Sequence, residues 1–333
     1  MFRYLKPAAL AAVALLSGLG PATAQGRITI GTNPQGSLYY TVGGGMAAAL
    51  QDALGQQVTV QPFAGSTVYL PLVAAGEVTV GINSSLDTGA IYEGDYEGAE
   101  PQRDLRMLAR LWPLRVALVT RASDGMTEVA DLAGKRVVTD FAALKSVSIV
   151  NQTILQAGGL SLDEVEGVSV SSLAPGMTAL TEGDLDATGI AVGIPLTQQA
   201  HATIPGGIRY LDITGDNATT EFVNELYPGT YILTVNPAPN LPEVTEPFNT
   251  IGYDVFLTAS ASLSDEQATA ILTALYDLFP ALQQDYPPIR GGDRDQFAKP
   301  TNTVPFHPAA VAFYRDKGLW TDENDTRDAA LAD

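Results

Sequence analysis

The chain has 333 residues, a formal net charge of −19, no cysteine and only two histidines, His201 and His307. That composition excludes thiol nucleophiles, disulfides, zinc–thiolate sites and poly-histidine metal sites, so no metal and no other cofactor is expected. A surface this acidic repels nucleic acid and anionic lipid, which sets both aside as partners.

The first 24 residues have the pattern of a signal peptide. Arg3 and Lys6 form a basic start, residues 8–19 an apolar run of 12, and Ala22-Thr23-Ala24 a small-x-small cleavage site. The run is too short to span a bilayer, which takes about 20 apolar residues. Cleavage after Ala24 and export of the remainder are expected. Loss of the two cations then takes the charge from −19 to −21.

From there strands and helices alternate, the pattern of a parallel sheet with helices on its faces. Residues 28–31 read as a strand, 40–54 as a helix, 58–62 as a strand, 66–75 as a helix and 78–82 as a third strand. Residues 92–103 read as a polar loop. A long extended run at 108–120, broken by Pro113, is matched in character by 251–259. Between the two lies a second strand–helix series at 136–139, 146–157, 167–171, 175–182 and 187–192. Helices are expected at 265–279 and 308–317, and a frayed end at 322–333. Two extended runs bracketing the middle predict two crossings between lobes. Lobe I then holds 25–114 and 252–333, and lobe II holds 115–251.

In an open α/β sheet, ligands sit at the carboxyl ends of the strands. That rule nominates 32–40, 64–67 and 83–87 in lobe I, and 140–146 and 192–195 in lobe II. The richest segment is 28–50, where a strand enters a small-residue loop and then a helix. Such a junction aims backbone N–H groups and the positive end of the helix dipole at an anion. Its candidate contacts are Thr32, Ser37, Tyr39 and Tyr40. Gly65 and Ser66 open the next helix, with Ser66 either a ligand donor or an N-cap. Asn83, Ser84 and Ser85 follow the third strand.

In lobe II, Leu144, Lys145 and Ser146 stand at a helix start, and Gly193 follows a strand. A charged hydrogen bond contributes about 1.5–3 kcal/mol, against about 0.3–1 for a solvated helix dipole, so Lys145 is expected to dominate there. Arg110, Arg115 and Arg121 are further candidate cations. The run Gly43 to Ala48 fits the dinucleotide pattern G-x-G-x-x-A only nominally. Its glycines fall inside the helix, and the second strand ends in Gln61-Pro62 without an acidic ribose ligand. Close packing explains these glycines better than a nucleotide.

Together these segments resemble the TAXI family, the extracytoplasmic solute receptors of one class of TRAP transporters. GTNPQGSLYYTVGGG, from Gly31 to Gly45, is close to that family's GTGGTGGTYYPLGGG. The likeness continues through Gln61-Pro62, Gly65-Ser66, Ala75-Gly76-Glu77-Val78, the segments 131–135 and 183–187, and the terminal His307-Pro308 and Gly318-Leu319-Trp320. It implies a two-lobed, type II-like periplasmic binding protein of the α/β class. Each lobe would be a mainly parallel sheet flanked by helices, with two crossover strands at the hinge. It also implies a periplasmic, monomeric protein with no enzymatic activity, which passes an organic acid or amino acid to a TRAP-type membrane permease.

Three departures bear on the ligand. Residues 140–146 read DFAALKS where the family often has a Gly/Ser-rich loop, and Ser37-Leu38 replaces a Gly-Thr pair. Asn83-Ser84-Ser85 stands in place of Gln-Ser-Asp, which removes a carboxylate that could grip an amino group. The expectation is therefore an organic acid without an amino group. The alternative is a ligand sensor or scaffold of the same fold without transport. A serine hydrolase is disfavoured, because no G-x-S-x-G element is present and neither histidine has a recognisable partner.

Overall fold

A computed structural model describes residues 27–96, 98–142 and 144–332, so the expected signal peptide at 1–24 lies outside the described residues. Strands β1 (Ile28–Thr32), β2 (Val58–Pro62) and β3 (Val80–Ser84) alternate with helices α1 (Leu38–Leu54), α2 (Ser66–Ala74) and α3 (Ser85–Glu93). The long strand β4 (Leu105–Arg121) follows. The middle of the chain gives β5 (Arg136–Phe141), α4 (Lys145–Ala157), β6 (Glu166–Val170), α5 (Leu173–Glu182), β7 (Thr188–Ala191) and α6 (Pro195–Thr203). Then come β8 (Ile208–Tyr210), α7 (Thr220–Leu226), β9 (Tyr231–Val235) and the second long strand, β10 (Phe248–Ser260). Helices α8 (Asp265–Asp285), α9 (Pro308–Asp316) and α10 (Asp322–Ala332) close the chain.

The main sheet runs β2-β1-β3-β10-β4-β7, with β8 added to β4 and β9 to β10. β1, β2 and β3 are mutually parallel, as expected. The whole sheet is mixed rather than parallel, because β10 lies antiparallel to both β3 and β4, and β7 antiparallel to β4. β5 and β6 form a small parallel pair, tied to the start of β7 through Val137 and Ala187. The near-continuous apolar character of β4 and β10 follows from their position, since nearly every residue of both is buried. The two extended runs read from the sequence are thus one antiparallel ribbon, with register from Ile251–Val116 to Ser260–Leu105 and two bulges between.

Several boundaries differ from the sequence reading for identifiable reasons. Pro113 does not break β4. It pairs with β10 where β7 has not yet begun to pair on the other side, and an edge of this kind tolerates a residue without an N–H. The first helix opens at Leu38, two residues early, because the Ser37 hydroxyl accepts the Tyr40 N–H. Ser66 is not the cap of α2; Gly65 holds that place, and Ser66 begins the helix. Helix α3 is an addition, since 83–87 reads as turn chemistry. The C-terminal segment is not frayed. Asn324 donates to the Ala298 carbonyl, Asp328 accepts the Phe306 N–H at 2.7 Å, and Tyr92 donates to the Leu331 carbonyl at 3.0 Å.

The glycine run in α1 works through packing at two of its three positions. A Cβ on Gly43 would lie 2.8 Å from the Thr32 methyl, and one on Gly45 would strike the Tyr286 ring at 2.3 Å, whereas Gly44 faces open space.

His307 caps α9. Its Nδ1 accepts the Ala309 N–H at 3.2 Å, and its Nε2–H donates to the Leu263 carbonyl at 3.0 Å, so the fold uses the neutral ring. Burial holds its pKa below the ordinary histidine value; the Leu263 bond and the exposed Asp265 carboxylate, 3.9 Å away, oppose this without reversing it. As pH falls below about 6.5 the unfolded chain takes up the proton first, so this stability is complete above that pH and is lost below it. Urea unfolding at pH 7.5 and 5.5 measures the loss, and His307→Ala should shrink the difference while costing about 1 kcal/mol of capping at pH 7.5. An unchanged difference would refute the assignment.

Candidate functional site

The carboxyl ends of β1, β3 and β7 converge on the starts of α1, α3 and α4. At the β3–α3 junction, Ser84 caps α3, its hydroxyl accepting the Asp87 N–H at 2.9 Å. This cap aims Asp87, in the first turn of α3, toward the start of α4. Its Oδ2 accepts the Ser146 hydroxyl at 2.9 Å, and its Oδ1 accepts the Ser146 N–H at 3.3 Å and the Tyr96 hydroxyl at 2.7 Å. The Ser84 and Ser146 hydroxyls are themselves 3.5 Å apart. Asp87 is only 2% exposed. The positive end of the α4 dipole and its first free N–H groups therefore meet a carboxylate of the chain itself.

Beside this contact is a small cavity of about 30 Å³, with room for about one water. Ser37, Tyr39, Leu114, Leu144, Ala191 and Tyr253 are among its walls, and among the described residues no lysine or arginine lines it. A larger hollow of about 690 Å³ has Thr67, Tyr96 and Lys145 at its edge. Ser146 is flanked in sequence by Lys145, which lines the larger hollow, and by Val147, which lines the smaller one, and Asp87 is bonded to Tyr96 of the larger. Tyr39, Tyr69, Tyr96, Tyr227 and Tyr253 all feel the Asp87 charge. Burial first, and that charge in addition, push each phenol above its usual pKa, so all five are neutral hydroxyls at physiological pH; for Tyr69 the Ser66 hydrogen bond pulls the other way without prevailing.

The residues named from the sequence divide accordingly. Ser37, Tyr39 and Leu144 line the small cavity, and Ser84 and Ser146 stand at the Asp87 contact. Ser66 donates to the Asn33 side chain at 3.4 Å, with Gly65 just before it. Thr32 is fully buried and donates to the Asn33 carbonyl, acting as a strut. Asn83 is committed to the interior, donating to Thr88 and accepting from Thr258 at 2.8 Å. The Ser85 hydroxyl is buried without a hydrogen-bond partner. Tyr40 is half-buried outside the cavity walls, and Gly193 lines a separate hollow with Pro195 and Tyr286. Gly193 has φ +81°, which favours glycine for backbone reasons alone.

Lys145 does not take the expected role. Its side chain is 45% exposed, and its Nζ donates to Asp140 at 3.3 Å, outside the small cavity. The other cations are also engaged or elsewhere. Arg110 pairs with Asp254, Arg121 pairs with Asp124, and Arg115 alternates to the opposite face of β4 from Leu114 and Val116. A carboxylate is not missing after β3, because Asp87 supplies one two residues beyond Ser85. Asp87 ends a nominated segment, and Ser84-Ser85-Leu86-Asp87 has the S-x-x-D spacing of a helix start, which is the signal that points to it. Tyr96, Tyr227 and Tyr253 carry no comparable signal.

Among the described residues, no helix is long and apolar enough to cross a membrane, and no three side chains group as metal ligands. Of solved structures, one described as a periplasmic transporter is 11% identical, with a TM-score of 0.56 over 93% of this chain and 97% of that one. Another, Tv2483 bound to L-arginine, is 12% identical, with a TM-score of 0.50 over 81% of this chain and 93% of that one. An ancestral arginine-binding protein bound to arginine is 14% identical, with a TM-score of 0.49 over 79% and 98%. At these identities the likeness is one of fold alone. A family model described as NMT1-like matches residues 30–318.

Proposed function

The chain belongs to the NMT1-like family, and on that premise we propose that it is an exported solute-binding protein. In this reading the segment 1–24 is removed, and the mature monomer takes a small organic solute between lobes 25–114 plus 252–333 and 115–251. It then hands the solute to a membrane permease of the TRAP type, the arrangement implied by its resemblance to the TAXI receptors. The observation that supports this most is the buried contact between Asp87 of α3 and Ser146 of α4 beside a small cavity walled largely by apolar side chains. Elements from the first and the middle third of the chain meet there, at the strand ends where α/β folds place ligands. Closure would exclude water from the solute and strengthen each hydrogen bond to it.

The test is a thermal-shift screen of organic acids, amino acids and amines, with calorimetry and small-angle scattering on each hit. A ligand at one hundred times its Kd adds about 2.7 kcal/mol to stability and raises Tm accordingly, and closure reduces the radius of gyration. If no solute shifts Tm and the radius stays constant throughout, the reading fails.

A further inference from the structure

We propose that the solute brings a positive charge, an organic ammonium group, to Asp87; the inference rests on the solute-binding reading and names the chemistry of its site. Asp87 is buried, and among the described residues it forms no ion pair. Its partners are the Ser146 N–H and the hydroxyls of Ser146 and Tyr96, all neutral. Neutral donors satisfy the oxygens but leave a net negative charge in the interior, and such a charge calls for a counterion.

Among the described residues nothing supplies one. Lys145 is held by Asp140, Arg110 by Asp254, and Arg115 faces away from the cavity. In the small cavity an anionic solute would find no formal positive charge among the described residues, Lys145 at the edge of the larger hollow is already paired with Asp140, and the start of α4 is filled by Asp87. It would also meet the Asp87 field at close range. An ammonium group meets the opposite situation, with a free lone pair remaining on Oδ2, which accepts only from Ser146. The neutral phenols of Tyr96 and Tyr227 add acceptor oxygens, and aromatic faces attract cations. The leucines and valines of the cavity suit an apolar body behind the charge. The net charge of −19 acts in the same direction at long range, drawing cations toward the protein and repelling anions.

The experiment compares three matched series on the native protein by calorimetry at fixed pH and salt. These are straight and branched amines of two to six carbons, the amino acids with the same carbon skeletons, and the corresponding carboxylic acids without nitrogen. Binding is expected among the amines or amino acids, with the deaminated partner of each binder at least tenfold weaker. Asp87→Asn, folded as judged by circular dichroism, should weaken the binder at least tenfold, while Lys145→Ala should leave it within threefold. Binding confined to the carboxylic acids overturns the proposal and leaves the solute-binding reading intact. A binder whose affinity is unchanged in Asp87→Asn also overturns it. Should Asp87→Asn not fold, the three series on the native protein still decide the ligand class. Silence in every series, with no change in scattering, refutes the solute-binding reading and this inference with it.

Discussion

Arg110→Ala is expected to destabilise the protein by about 3–5 kcal/mol, the range for breaking a buried ion pair from one side. The Arg110 and Asp254 side chains are 9% and 6% exposed, and Arg110 Nη2 donates to Asp254 Oδ1 at 2.7 Å. Asp254 is further held by Thr301, which donates to Oδ2 at 2.7 Å, and by Tyr231 at 3.3 Å. The pair lies in the middle of the β4–β10 ribbon and links it to β9 and to the segment before α9. Removing the guanidinium leaves Asp254 buried with only neutral donors. Asp254→Ala should cost a similar amount, because Arg110 would then be stranded. The double change Arg110→Met with Asp254→Leu should recover most of the loss, since it removes both charges together. Urea unfolding of the three variants measures this, and a single-variant loss below about 1 kcal/mol would show that the pair is not a keystone of the ribbon.

Ala191→Trp should weaken solute binding at least a hundredfold. Ala191 ends β7, pairs with Val116 on β4, and lines the small cavity. An indole in that position occupies the space that an opening cleft would offer to a ligand. Overpacking costs about 1–3 kcal/mol, so Tm should fall by several degrees while the fold persists. Calorimetry with any binder from the screen gives the first number and thermal unfolding the second. Affinity within threefold of the native protein would place the site elsewhere.

The parts of the fold legible in the sequence are those whose burial pattern is simple. β1 and β2 alternate apolar and polar residue types, Ile28-Thr29-Ile30 and Val58-Thr59-Val60, and the apolar length of β4 and β10 betrays strands covered on both faces. α3 hides because it is buried all round. Ser85, Leu86, Asp87, Thr88, Ile91 and Tyr92 are all inside, so no polar face marks its period. α10 hides for the opposite reason, its first two turns being wholly polar, with the helix anchored by side-chain hydrogen bonds rather than by an apolar stripe. The segment from α6 to β9 is built of short elements with weak periodicity and carries no sequence assignment.

For the candidate site, the sequence marks the segments but not the polarity. Ser37, Tyr39, Leu144 and Ser146 come together in the structure because strand ends gather at one place. The charge at that place is inverted relative to the expectation, because the direction of a side chain is a tertiary fact. Lys145 follows Asp140 by five residues, and the turn between β5 and α4 brings the two together outside the cavity. Asp87 is pulled inward by its cap on Ser84 and by Ser146, which is 59 residues away.

The place of β10 in the sheet has a kinetic consequence. It lies between β3 and β4, which are neighbours in sequence, and Thr258 meets Gly81 across 177 residues. Until residues 248–260 exist and arrive, β3 is an uncovered edge and β4 lacks its principal partner. Contacts of such long sequence separation slow folding, because the loop entropy is lost before the contacts reward it. The strand-end geometry around Asp87 should therefore be among the last features to form. Refolding should show a slow phase tracking β10 docking, during which the apolar edge of β3 is open to pairing with another chain. The main sheet therefore cannot be completed before residue 260 has been made, because its strand between β3 and β4 comes last.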